Sequence, residues 1–279
     1  MSEDSAFSSA GGQEDLMAKV DTSVPVSARI WNYWMGGEDW FPIDKQAGDA
    51  YAQLSPGVFD LARSSRSFLR RAVRYAAGEA GIRQFLDCGS GLPSHDPTHE
   101  VAQGVAPDAR VVYVDKDPLV LAHARALLAS NPHGGTDYIE ADLYDPGTLV
   151  SRARTKLDFG QPVAIMLMGV MGHVGNPGED DDQVAASIVD RLKAALPSGG
   201  YLVMYEGVDT DPAQREALEQ YNKSGAVPYR LRDREQVARF FDGLELVEPG
   251  LVPIHEWRPD PSTVNPPHVP ALGGVARKP

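Results

Sequence analysis

The chain has 279 residues, 42% of them hydrophobic, which is enough to build the core of one large domain or two small ones. Its formal net charge of −13 argues against a partner gripped by its phosphate backbone, so no nucleic acid is expected. A single cysteine excludes an internal disulfide and a Cys-rich zinc site, and no metal is expected.

No secretory hydrophobic region and no bilayer-length apolar run stand in the chain, so it reads as soluble and cytoplasmic, with no membrane partner. Residues 1–20 are rich in Ser, Gly, Glu and Asp and are expected to form a mobile tail. Residues 21–56 then concentrate Trp31, Trp34 and Trp40 with Tyr33 and Phe41. Gly36-Gly37 splits the segment into two short helical pieces, the second opened by Pro42 and Asp44. Two readings stay open: an aromatic-pinned helical layer, or a lid over a ligand. A lid would use Arg29 to hold a ligand carboxylate and Tyr33 or Trp34 to face a cation.

Residues 57–79 predict a helix, with Leu61, Phe68, Leu69, Ala72 and Val73 on one face and Gly78 and Gly81 at its end. Of its five arginines, Arg66 is the candidate site residue. Gln84 to Asp87 reads as a buried strand, broken by Gly89-Ser90-Gly91 and followed by a helix from Ser94 to Gly104. Backbone must pass close to a ligand at such a turn, where a Cβ would block it. Asp87, at the strand's end, is placed to accept from a ligand amine or from the turn's amides. Cys88 reads as a small buried residue.

Arg110 to Asp115 is a second strand ending in a carboxylate. Asp115 lies about 24 residues beyond Gly91, near the offset at which an acid grips ribose hydroxyls. Its alternative role is to cap the next helix, which Asp117-Pro118 opens with Val120, Ala124, Leu127 and Leu128 inward. Thr136 to Ala141 is a third strand, with Asp142 placed to accept an adenine amine and Leu143 to offer backbone N–H; a plain turn cap is the other reading.

Residues 162–173 form the most hydrophobic run, a central strand with His173 just past its end. His173 admits acid–base work or a structural role. The acids Glu179 to Asp182 precede a helix carrying Val184, Ile188 and Leu192, so they read as dipole-favoured termini rather than metal ligands. Tyr201 to Tyr205 is a fifth strand with Glu206 at its ligand edge. Helices from Asp211 and Asp233, a strand over Leu244–Val247, a Pro-rich loop over 259–270 and a last strand over Leu272–Arg277 complete the chain. Alternating strands and helices define an α/β fold. The terminal strand pair favours a class I methyltransferase sheet over a six-stranded dinucleotide sheet.

Three segments carry a family resemblance: Leu86-Asp-Cys-Gly-Ser-Gly-Leu-Pro93, Val112-Tyr-Val-Asp-Lys-Asp-Pro118 and Ala28-Arg-Ile-Trp-Asn-Tyr-Trp-Met-Gly-Gly37. Together with Arg66 to Arg74, Phe241 to Pro249 and the closing Gly-Val-Ala-Arg-Lys-Pro, they resemble a bacterial S-adenosyl methyltransferase family first defined as proteins of unknown function. The resemblance runs from about residue 21 to 279. It implies a Rossmann-like sheet of order 3-2-1-4-5-7-6, last strand antiparallel, with S-adenosylmethionine as cofactor and S-adenosylhomocysteine as product. The expected division of the chain is an N-terminal helical lid over 21–80 and a cofactor domain over 81–279. Gly89, Ser90 and Gly91 would lie against the methionine part, Asp115 would hold the ribose and Asp142 would lie near the adenine; Lys116 and Leu143 are counted with the cofactor-binding residues.

The chain departs from the family's pattern where that pattern has Asn before the matched Arg66, Leu-His after strand four and Ser-His after strand five. Ser65, Met171-Gly172 and Tyr205-Glu206 stand there instead. Catalytic work would then fall to His173 or Glu206, with Trp31, Trp34 and Arg66 shaping the acceptor space. The expected activity is in-line methyl transfer to a small molecule. The alternatives are a cofactor-binding protein without turnover and, third, an NAD-dependent oxidoreductase.

Overall fold

The computed structural model describes residues 20–92, 96–123, 135–175, 181–261 and 266–279. Most of the expected mobile tail, the helix start at Ser94, the inward positions Ala124, Leu127 and Leu128, and Glu179 and Asp180 lie outside them.

Five parallel strands form the body of one sheet: β1 (Gln84–Cys88), β2 (Arg110–Asp115), β3 (Gly135–Glu140), β4 (Ala164–Met168) and β5 (Tyr201–Gly207). β8 (Ala271–Arg277) runs antiparallel to β5, from Tyr201 opposite Arg277 to Gly207 opposite Ala271. Two-residue strands β6 (Glu245–Leu246) and β7 (Val252–Pro253) both pair with β8. The order is β3-β2-β1-β4-β5-β8-β6. This is the expected 3-2-1-4-5-7-6 arrangement with one short extra strand, β7, shifting the numbers. Every residue of β1 and β5 is buried, because central strands are covered on both faces. That is why these stretches show no apolar–polar alternation, and why even Gln84, Asp87 and Glu206 are buried in them.

Helices cover both faces. On one, α5 (Pro146–Ala153), α6 (Asp181–Ala195) and α8 (Arg234–Arg239) bring Leu149, Val189 and Val237 against Leu86, Val112 and Ile165. On the other, α3 (Val58–Arg74) and α4 (Thr98–Val105) bring Phe68, Ala72 and Ala102 against Phe85, Val111 and Met166. A π-helical turn, Tyr75–Glu79, continues α3. The expected Asp-Pro helix starts form as predicted: Asp211 caps α7 (Pro212–Tyr221) by accepting from Ala213 N–H, and Asp117 accepts from Leu119 N–H before the helical residues 118–123.

The N-terminal segment forms α1 (Ser27–Trp34) and α2 (Pro42–Leu54). Ile30, Trp34 and Tyr51 share a separate core with Ala217, Leu218 and Tyr221 of α7. Since α7 follows β5, this core ties α1 and α2 to the carboxyl end of the sheet. Trp31 packs against both this core and the cluster holding Phe68 and Tyr205.

Candidate active site

The site is built where β1, β2, β3 and β4 end side by side. Gly89 (φ +69°) and Gly91 (φ +64°) turn the chain sharply out of β1, in the left-handed region that glycine enters without penalty. A Cβ on Gly89 would stand 2.4 Å from Val170 Cγ2, so the exit of β4 closes directly over this turn. Over Gly91, the one atom within 4 Å among the described residues outside its chain neighbours is Ala28 Cβ, at 4.0 Å. The turn is therefore braced on one side and approachable on the other, which fits a backbone that a ligand must reach. Gly89→Ala combines the clash with a left-handed backbone, so we expect a loss of about 2–4 kcal/mol of stability, checked by urea unfolding.

Asp115 organises the turn from β2. Its Oδ2 accepts from Gly91 N–H at 2.9 Å, and its Oδ1 from Lys116 and Asp117 N–H at 2.8 and 3.0 Å. Burial raises its pKa, against the pull of these three amides. Lys116 reaches across to Asp142, Nζ to Oδ2 2.9 Å, and lies 5.8 Å from the centre of the Tyr144 ring. Asp142 is held below the usual carboxylate range: burial opposes this, but Lys116 and the Tyr144 N–H outweigh it. Leu143 packs partly buried against the core. Tyr144 bridges to the far side, where its hydroxyl accepts from Gly175 N–H at 2.7 Å. Asp115, Lys116, Asp142 and Leu143 thus come together, and Tyr144 closes the gap between the β3 and β4 ends.

Behind the turn, Asp87 is buried and accepts from Thr98 Oγ1 at 2.7 Å. Burial lifts its pKa to about 6, opposed by Thr98 and by the nearby Arg66 guanidinium. Arg66 of α3 also faces Tyr113 and Tyr205. Ser90 shares a hydrogen bond of 3.0 Å with Tyr138. Asp87 and Arg66 feel each other's charge, and together they carry the two signs that a zwitterionic head group would need. Cys88 is buried, and burial raises its thiol pKa, consistent with an inert side chain.

Three expected site residues are placed differently. Arg29 was to hold a ligand carboxylate, but the carboxylate it meets is Asp44, at 3.3 Å, with both side chains almost fully buried. Its other nitrogens donate to Asp21 and Val24 carbonyls. Asp44 in turn accepts from Val26 and Phe41 N–H, so the pair fixes the starts of α1 and α2. Tyr33 was to face a ligand cation; the cation over its ring is Lys45, at 5.0 Å, and its hydroxyl donates to Asp49 at 2.5 Å. Trp34 is buried against Tyr51 and donates its indole N–H to the Gly48 carbonyl. Local charge pairing and burial within the helix pair engage all three.

Glu206 is also redirected. It is fully buried, and its oxygens accept from Met171 N–H at 2.9 Å, Gly172 N–H at 3.0 Å and the Tyr229 hydroxyl at 3.0 Å. It holds the short turn Met171–His173 instead of facing a ligand. A Cβ on Gly172 would stand 2.2 Å from the Tyr229 ring, so the place of the family pattern's histidine is filled by Tyr229. Burial lifts the Glu206 pKa from 4.5 to about 7, against Arg232 and the hydrogen bonds it accepts. The folded state therefore holds this proton more tightly than the unfolded chain. Stability from this group is present below pH 4.5 and is lost as pH rises toward 7. Relative to Glu206→Gln, the wild type is expected to lose about 3 kcal/mol across that window, read by urea titrations at pH 4.5 and 8.

His173 lies half-buried at the end of that turn. Its Nδ1 is 3.0 Å from the Pro228 carbonyl and its Nε2 is 2.7 Å from Ser27 Oγ. A carbonyl only accepts, so Nδ1 carries the proton and Nε2 accepts from the serine hydroxyl. Burial depresses the imidazole pKa. Sequence reasoning missed Ser27, Tyr229 and Arg232. Asp-Pro pairs and glycine turns announce themselves locally, but these three act through partners that are distant along the chain. Among the described residues, no group of three His, Cys, Asp or Glu side chains is placed to hold a metal. No helix there is long and apolar enough to cross a membrane.

A parallel sheet with an antiparallel strand inserted before its last position, a glycine turn after β1 and an acid after β2 define a class I S-adenosylmethionine-dependent methyltransferase. The chain belongs to the S-adenosyl methyltransferase family, whose profile matches residues 13–279. A DUF574 family protein from Streptomyces avermitilis is 43% identical, with a TM-score of 0.86, over 93% of this chain and 99% of that one. A protein from Thermobifida fusca, described as a candidate methyltransferase, is 42% identical, with a TM-score of 0.83, over 92% of this chain and 96% of that one. An O-methyltransferase family protein from Burkholderia thailandensis shares the fold at 12% identity, with a TM-score of 0.50, over 97% of this chain and 70% of that one. No curated protein matches the chain.

Proposed function

We propose that this methyltransferase acts on a small molecule in the cytoplasm, and that α1 and α2 form a lid over the cofactor and acceptor. The observation that carries the reading is the position of Ala28, beside Gly91 and next to Ser27, which meets His173. The first turn of α1 thereby spans the crevice from the β1 exit to the β4 exit. Asp115 would hold the ribose hydroxyls, with Gly89, Ser90 and Gly91 against the methionine portion and Lys116, Asp142 and Leu143 beside the adenine. Arg66 and Asp87 suit the methionine carboxylate and ammonium. This gives Arg66 the part expected of Arg29. The sulfonium supplies an already activated methyl group. The protein's own task is to align the acceptor and keep water out.

Calorimetry with S-adenosylhomocysteine and NAD tests the reading. Tight binding of the first with none of the second is expected, and a preference for NAD would refute it. Trp34→Ala removes the packing of α1 on Tyr51, and a large-to-small change of this kind costs about 3–5 kcal/mol. Trp34→Ala and Trp31→Ala are each expected to weaken cofactor binding or turnover at least tenfold. If both variants bind and turn over as the wild type does, the helices are not a lid.

A further inference from the structure

Resting on the methyl-transfer reading, we propose that Ser27 and His173 form a proton-accepting dyad for a hydroxyl acceptor, of phenol class, which the enzyme O-methylates. The geometry has the three parts such a dyad needs: a hydroxyl, a base within hydrogen-bond reach and a group that orients the base. The Pro228 carbonyl fixes the tautomer and leaves the Nε2 lone pair facing Ser27 Oγ at 2.7 Å. The Tyr229 ring, edge-on at 4.9 Å from the imidazole, and the Glu206-held turn set the ring's plane. Ser27 precedes Ala28, whose Cβ lies 4.0 Å from the Cβ position of Gly91, so the dyad sits in the turn of α1 that borders the β1 exit.

The surroundings favour an apolar acceptor. Val24 and Val227 are exposed large hydrophobic residues on the two segments that flank the dyad. These segments meet where Pro25 Cδ comes within 4.0 Å of the Cβ position of Gly225. Trp31, partly buried, stands further along α1. The ionisable groups around His173 are already engaged. Tyr229 donates to Glu206. Arg232 donates to the Met171 carbonyl and to Asp182, and the Arg230 guanidinium is 3.8 Å from Asp182. Arg29 pairs with Asp44, and Tyr221 of α7 lies in hydrogen-bonding reach of Ser27. Burial depresses the imidazole pKa, which favours the neutral state that accepts a proton. A neutral imidazole suits a phenol far better than an aliphatic alcohol, whose proton is much less acidic.

In the step, the acceptor oxygen forms its bond to the methyl carbon while the carbon–sulfur bond breaks and its electron pair returns to sulfur. The acceptor proton passes to Ser27 Oγ as the serine proton passes to His173 Nε2. The products are the methyl ether, S-adenosylhomocysteine and an imidazolium that releases its proton to water.

The test measures methyl transfer from S-adenosylmethionine to catechol, 4-nitrophenol and naphthol, and to the matching anilines. The full-length wild type, His173→Gln, Ser27→Ala and Ser27→Thr are compared, with S-adenosylhomocysteine calorimetry on each. Phenols should be methylated and anilines not. The wild-type kcat should rise with pH and level off above the imidazole pKa. His173→Gln should lower kcat at least 100-fold and abolish that pH limb, and Ser27→Ala should lower it about tenfold with recovery in Ser27→Thr. Product affinity should stay within threefold of wild type throughout. Transfer to anilines only, no transfer to any phenol by a wild type that binds S-adenosylhomocysteine, or an unchanged kcat and pH profile in His173→Gln would each overturn the dyad. Failure of the wild type to bind S-adenosylhomocysteine would instead overturn the underlying reading.

Discussion

Asp115→Ala is expected to weaken S-adenosylhomocysteine binding by a factor of about 100 or more, the largest effect of any single substitution on ligand affinity. Two losses combine. The variant gives up the charge-assisted hydrogen bonds proposed to the ribose hydroxyls, each of about 1.5–3 kcal/mol. It also frees the N–H groups of Gly91, Lys116 and Asp117, which Asp115 now gathers. The glycine turn would then lose its brace from β2 just where it must present backbone to the methionine portion. Asp115→Asn separates the two contributions, because it keeps an acceptor for the turn and loses the charge. We expect Asn to fall between Ala and the wild type in calorimetry. Affinity within threefold of wild type for both variants would remove Asp115 from the cofactor site.

Arg232→Ala is expected to cost about 3–5 kcal/mol of stability, with a fall in Tm on the order of 10 °C. Arg232 is almost fully buried, donates to the Met171 carbonyl at 3.0 Å and to Asp182 at 3.2 Å, and lies 5.3 Å from the centre of the Phe240 ring. It also supplies the positive charge that counters Glu206. Its removal leaves a fully buried carboxylate without that charge and a turn without one of its ties. The loss should shrink at pH 5, where Glu206 is protonated in the folded protein and no longer needs the guanidinium. Urea titrations of both proteins at pH 5 and pH 8 check this. A difference below 1 kcal/mol at pH 8 would show that the network is not what holds the Met171–His173 turn. Because His173 ends that turn, kcat should fall along with stability.

Both predictions turn on a strand-end carboxylate, and the sequence reads the two alike. Asp115 follows an apolar run and precedes an Asp-Pro helix start, a pattern set entirely by neighbours in sequence. Glu206 shows the same strand-end pattern, and sequence reasoning put it on the ligand edge for that reason. Its actual partners lie about 20 to 35 positions away, in a loop and in the turn after β4. Arg29 repeats the lesson. A guanidinium among tryptophans reads as a ligand clamp until Asp44 is seen to neutralise it inside the helix pair.

With the strand order and the cofactor pointed to by the family resemblance, the sequence by itself determined the alternating α/β class, the helix starts, the glycine turn and the acid after β2. Each of these follows from local sterics, hydrophobic periodicity or capping, which act over a few residues. Only the tertiary structure decided which charged and polar side chains are consumed by one another: Arg29 with Asp44, Glu206 with Tyr229 and the Met171–Gly172 amides, and His173 with Ser27. A buried polar group must find a partner, and packing brings that partner from a remote part of the chain, so no local pattern reports it.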